Sequence, residues 1–165
     1  MKAFAFTGPG ARRPFVGGRW PDPGTWSEEG VRASLIGHLP VWIAEELWVV
    51  ELEGSVHEVE TQLRADRGRL VRRVSSWDED AAAAFVRSCA DRILELAGHD
   101  GGDSGRMAAY RDDANAFAEA GDANVAGWVA ARAAAAAGGE EAAERERARQ
   151  SAWLADRLQL ESEVR

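Results

Sequence analysis

Arg69 to Leu96 reads RLVRRVSSWDEDAAAAFVRSCADRILEL, and the spacing of its apolar residues changes partway along. Arg69 to Ser75, with Leu70, Val71 and Val74, has the β-branched content of a strand. Beyond it Ala82, Phe85, Val86, Cys89, Ile93 and Leu96 recur every three or four residues and fall on one stripe of a helix. Ser76-Trp77-Asp78-Glu79 stands between the two with the spacing of a capping box, in which Ser76 accepts from an early amide and Glu79 reaches back. The change of period divides the chain into a β-rich half, 1–77, and an Ala-rich helical half, 78–165. It predicts an α+β fold: a small, mainly antiparallel sheet packed with a C-terminal layer of about four helices as one compact unit.

Towards the N-terminus, Lys2 to Phe6 is a short strand ended by Thr7-Gly8-Pro9-Gly10. The Gly- and Pro-rich stretch up to Gly30 carries Phe15, Trp20 and Trp26, whose rings are expected to fold back onto the sheet. His38 to Glu46 suits a short helix with Pro40 in its first turn. Leu47 to Glu53 is a strand, Glu53-Gly54-Ser55 a turn, and Val56 to Glu60 a further strand, with another turn at Asp66-Arg67-Gly68. Towards the C-terminus, the first helix runs to about Ala97, where Gly98 supplies a stop. Three more follow at Arg106 to Ala120, Asp122 to Ala137 and Glu140 to Leu160, separated by Gly121 and by Gly138-Gly139.

The chain has 165 residues, a size that predicts one domain or two closely associated halves. Its formal charge of −8 belongs entirely to the second half, since ten basic residues balance ten acidic ones before Asp78. An acidic helical half argues against nucleic acid as a partner. The single cysteine, Cys89, excludes an internal disulfide framework and fits a cytoplasmic location. The opening apolar run is too short for a secretory signal, and Glu45 and Glu46 split the most apolar stretch, Val41 to Val50, so no membrane partner is expected. Ala-rich helices can pack within one chain or between two, which admits a homodimer. Arginine almost without lysine, together with abundant Ala and Gly, is the usage of a high-GC bacterial genome.

Gly8-Pro9-Gly10 follows a strand as a phosphate loop would, but Pro14 interrupts the helix that such a loop requires, and no Gly-Lys-Ser/Thr follows. His38, His57 and His99 share no metal-ligand spacing, and Asp100 and Asp103 in the glycine loop lack the alternation of an EF-hand; no metal or cofactor is expected. Cys89 lies on an apolar stripe, the place of a buried thiol. Two groupings remain as candidate sites. Arg12, Arg13 and Arg19 alternate with Phe15, Trp20 and Trp26, and Arg67, Arg69, Arg72 and Arg73 follow on the later strand. If loop and strand are neighbours, guanidinium groups and aromatic faces converge on a site for an anionic or aromatic ligand; the other reading is that the rings are core and the arginines pair with nearby carboxylates. The other grouping is Glu45 and Glu46 beside Trp42 and Trp48, an acid and base pair if they share a cleft. With Arg32 and His38 added, the candidate ligand-binding residues are Arg12, Arg19, Trp20, Trp26, Arg32, His38, Trp42, Glu45 and Arg69.

Gly30-Val31-Arg32-Ala33-Ser34, Leu39-Pro40-Val41-Trp42-Ile43, Glu46-Leu47-Trp48-Val49-Val50-Glu51-Leu52 and Arg67-Gly68-Arg69-Leu70-Val71-Arg72-Arg73-Val74 together resemble a family of domains of unknown function in actinobacteria and their phages. The likeness covers the first half and extends more weakly to the helical end at Arg149-Gln150-Ser151-Ala152-Trp153-Leu154. Many members of that family carry His and Cys where this chain has Arg32 and Ser34, so chemistry resting on that pair would not carry over. The resemblance implies an α+β fold and no particular activity. Sequence alone therefore leads to an intracellular binding or interaction protein without a standard cofactor, its partner a protein or a small anionic or aromatic ligand. The alternative is a small enzyme for an anionic or aromatic metabolite, with Arg32, His38, Glu45 and Arg69 in its pocket.

Overall fold

The structure is a computed structural model that describes residues 1–13, 18–28, 31–99 and 104–163. Four strands, β1 (Lys2–Thr7), β2 (Val31–Ala33), β3 (Glu46–Val59) and β4 (Gln62–Arg73), form one antiparallel sheet in the order β1-β3-β4-β2. The sheet curls until its two edges meet: Ser34, just after β2, exchanges both backbone hydrogen bonds with Phe4 of β1, at 2.7 and 3.0 Å. Closing the edges removes the unpaired backbone groups of an open sheet.

The alternation in β1 explains the curl. Ala3 and Ala5 point into the closed side, against Val50, Leu52, Leu63 and Leu70, while Phe4 and Phe6 point out to the helices. Small side chains inside let the strands approach across a narrow interior, and large ones outside fill the sheet-to-helix interface.

β3 and β4 are longer than the sequence reading makes them. Glu53-Gly54-Ser55 is not a hairpin turn but an irregularity within β3, where the register slips between Glu53 and Val56. Gly54 adopts φ +84°, and a Cβ there would lie 2.7 Å from Asp66 Cβ. The chain bends without leaving the sheet, as a β-bulge does. Asp66-Arg67-Gly68, the second expected turn, lies inside β4, and Gly68 is needed because an added Cβ would stand 2.7 Å from Val31 Cγ1. The hairpin reverses at Glu60 and Thr61 instead. The short helix expected from His38 is a 3₁₀ turn over Ile36–Val41, with Pro40 inside it and β3 already under way at Glu46.

Five helices follow: α1 (Glu79–His99), α2 (Ser104–Ala120), α3 (Ala123–Gly138), α4 (Glu140–Leu158) and the single turn α5 (Leu160–Glu163). Asp78, not Ser76, caps α1, its Oδ1 accepting from the Ala81 amide at 2.8 Å. Aspartate accepts as serine would, so the cap sits two residues later than expected and Glu79 starts the helix. Asp122 does the same for α3, accepting from the Val125 amide at 3.0 Å. Gln159, at φ 56°, ends α4 and turns the chain into α5. One core runs from Phe4, Phe6, Leu47 and Val49 on the sheet, through Leu39 and Ile43, to Phe85, Ile93, Val129 and Leu154 on the helices. Trp77 closes its edge, stacked edge-on against Phe6 at 5.4 Å, with its indole N–H donating to the Ala44 carbonyl at 2.9 Å.

Candidate functional site

The expected meeting of arginines and aromatic rings takes place, but on the surface of the sheet. Ser27 pairs with Gly68, which lays the loop along β4. The Trp26 ring is then covered by the guanidinium groups of Arg67 and Arg69, at 4.7 and 4.8 Å from its centroid. Arg13 covers Trp20 at 5.0 Å, and Trp20 itself is buried in the interior of the curl. The arginines are also engaged sideways: Arg69 donates twice to Glu51, at 2.6 and 2.8 Å, and Arg67 pairs with Glu53 across the strands. Arg12 and Arg19 form a backbone bridge and are exposed. Phe15 lies outside the described residues.

Arg32, His38 and Trp42 assemble elsewhere, around the β3–β4 reversal. Trp42 Nε1 donates to the Thr61 carbonyl and hydroxyl at 3.1 and 3.2 Å, His38 Nδ1 is 3.5 Å from Glu58, and Arg32 donates to Gln62 at 3.4 Å. These three residues bind the hairpin tip down. Arg69 lies far along the hairpin, opposite Glu51. The candidates read from the sequence are thus divided among three places rather than gathered in one pocket.

Glu45 belongs to the third. Where the end of β1, the start of β3 and the first turns of α1 and α3 meet, there is a cleft of about 830 Å³. Trp77, Ile43, Ala44 and Ala82 give it apolar walls. Five carboxylates line it, Glu45, Glu46, Asp78, Glu79 and Asp122, against one cation, Arg73. Two helix N-termini open here, each with one amide taken by the chain's own cap, Asp78 or Asp122, whose negative charge works against an incoming anion.

Glu46 is fixed from several sides. Its side chain is 15% exposed and accepts from Trp48 Nε1 at 3.2 Å, the Ala11 amide at 3.3 Å and Thr7 Oγ1 at 3.3 Å, with Arg73 at 3.7 Å. Burial alone would raise its pKa. The indole donor, the amides of Ala11 and Gly10 and the charge on Arg73 overcome that and hold it below the ordinary 4.5. Gly10 and Ala11 stand in consecutive left-handed conformations, at φ 65° and 58°. The Ala11 amide is one of the donors to Glu46. The glycine loop after β1 thus donates to the protein's own Glu46. That carboxylate is locked as an ion, whereas its neighbour Glu45 is exposed.

The helical half carries charged residues that the sequence reading leaves out. Glu146, on the inner face of α4 with its side chain 1% exposed, accepts from Arg149 Nη2 at 2.8 Å, Arg92 Nε at 3.3 Å and Gln150 Nε2 at 3.0 Å. The Arg149 pKa is raised, first by its hydrogen bonds to Glu146. Glu146 gives a signal in the sequence only in hindsight, as an acid at the position of the α4 stripe that faces α1. Beside the cluster, Cys89 is fully buried and desolvation pushes its thiol up to about 12, so it is protonated at neutral pH. Among the described residues no group of three or more His, Cys, Asp or Glu side chains is arranged to hold a metal ion, and no helix is long and apolar enough to cross a membrane. Asp100 and Asp103 lie outside the described residues. No family model matches the chain, and no curated protein or solved structure matches it.

Proposed function

We propose that this is a binding or interaction protein that receives a cationic, partly apolar side chain of a protein partner in the cleft between sheet and helices. One observation supports the reading above others: exposed carboxylates, Glu45 and Glu79, stand over an apolar floor of Trp77, Ile43 and Ala82. The only cation among the lining residues, Arg73, lies beside Glu46. An arginine or lysine entering there places its methylene stem on the floor and its charge among the carboxylates. Glu46 supports the site indirectly, by fixing the start of the loop after β1, where Pro9 lines the cleft. The arginines and tryptophans of the sheet stiffen the fold, since each ring is either buried or already covered.

Isothermal titration with a blocked Leu-Arg-Arg-Leu peptide tests this. Saturable binding that weakens with salt and is lost in a Glu45→Gln, Glu79→Gln double variant is the expected result. Equal binding by the double variant, or no binding at low salt, rules the cleft out as the cationic site.

A further inference from the structure

On the opposite side of α1 from the sheet, α1 and α4 diverge to leave an open groove of about 580 Å³. Arg87, Arg92, Arg149 and Arg157 line it, with Asp91 and Glu95 the only carboxylates among its lining residues. In a chain with a formal charge of −8, concentrated in this half, a concavity with an excess of cations is an exception that packing does not require.

The four arginines are not equivalent. Arg149 and Arg92 are set from behind by the buried Glu146, and Arg149 Nη1 also donates to Ser88 Oγ at 3.1 Å. Their planes are therefore fixed before any ligand arrives. Arg92 also meets Glu95 at 2.7 Å. Arg87 and Arg157 are exposed and have no ion-pair partner among the described residues. Arg149, Trp153 and Arg157 follow one another at four-residue spacing on α4, which puts an aromatic ring between two guanidinium groups on one stripe. Trp153 is half-buried and held edge-on by Phe85 at 5.4 Å.

From this arrangement we infer an anion site in the α1–α4 groove that takes a small phosphate ester. Arg87 and Arg157 supply unspent charge to the phosphate, Arg149 supplies an oriented donor, and Trp153 with Ala84 receives the organic part. Guanidinium forks match phosphate oxygens in pairs, and a single phosphate satisfies two unpaired arginines without displacing the Glu146 cluster. The site is independent of the acidic cleft and takes the opposite charge.

Phenyl phosphate is the probe, followed by ³¹P NMR and by the arginine Nε–H resonances of the full chain. The expected result is saturable binding that perturbs Arg149 and the Trp153 indole, with inorganic phosphate binding more weakly because it lacks the ring. An Arg87→Gln, Arg157→Gln variant should bind about tenfold or more weakly. Its unfolding midpoint should be unchanged, since both side chains are exposed. The Glu45→Gln, Glu79→Gln variant should bind phenyl phosphate as the wild type does. Undiminished binding by the arginine variant, or no saturable binding to the wild type, overturns the inference. Inorganic phosphate binding as tightly as phenyl phosphate overturns the role given to Trp153.

Discussion

Glu46 fixes the local structure where the loop after β1 meets the start of β3. It joins the loop after β1 to the start of β3 through donors from both, and the charged form is the one those donors favour. Because its folded pKa lies below 4.5, the unfolded chain takes up the proton first as the solution is acidified. The stability it contributes is complete above about 4.5 and is lost as the pH falls through the folded value. Denaturation followed from neutral pH to about 3 should therefore show a fall that is reduced in Glu46→Gln, and that variant should be about 1–3 kcal/mol less stable at neutral pH, with its amide facing N–H donors. A variant with the acid dependence of the wild type contradicts this assignment. Cys89 gives the opposite case. Its thiol is raised from 9.0 to about 12, so the folded state resists ionisation, and the stability this represents is present below 9 and lost between 9 and 12. Alkylation by iodoacetamide at pH 8 should proceed only in denaturant; modification of the native protein at the unfolded rate would place the thiol at the surface.

The elements show what was legible in the sequence and what was not. Where one rule governs, reading and structure nearly coincide: the stripe from Ala82 to Leu96 lies on α1, which runs past the expected stop at Gly98 to His99, the strand at Lys2 extends by one residue, and Gly121 and Gly139 stand between the later helices, Gly138 being the last residue of α3. The discrepancies arise where a local signal is outweighed by a long-range contact. Gly54 and Gly68 carry ordinary turn signals, but their lack of a side chain serves close approach between neighbouring strands, to Asp66 on β4 and to Val31 on β2. Pro40 fits a helix start, yet the residues after it are drawn into β3 by pairing with β1. Whether Arg67 and Arg69 meet Trp26 was open in the sequence, because it is the pairing of Ser27 with Gly68 that makes loop and strand neighbours. The cleft was legible only through Glu45 and Glu46, since its other acidic walls come from Asp78, Glu79 and Asp122 at the starts of two helices. Gly54→Ala should cost about 1–3 kcal/mol, from the left-handed φ and the encounter with Asp66 together. The same change at Gly24, also at a positive φ of 88° but with open space around it, should cost less. Urea denaturation of the two variants distinguishes them, and equal losses would mean that the bulge at Gly54 has no tight contact.

At the scale of the whole molecule, sheet and helices share one core, and the two concavities lie on different sides of α1. The cleft towards the sheet is acidic over an apolar floor; the groove towards α4 has an excess of arginine over acid. On the proposed reading, the cleft would attract a cation and the groove an anion. The most direct measurement of the central claim, that the acidic cleft is the binding site, is an amide ¹H–¹⁵N spectrum of the full chain titrated with the blocked Leu-Arg-Arg-Leu peptide. Saturable shifts at Ala44, Glu45, Glu79 and the Trp77 indole, with Arg87 and Arg157 undisturbed, are the predicted outcome. Shifts confined to the hairpin tip around Thr61, to the Trp26 face or to the α1–α4 groove would contradict it.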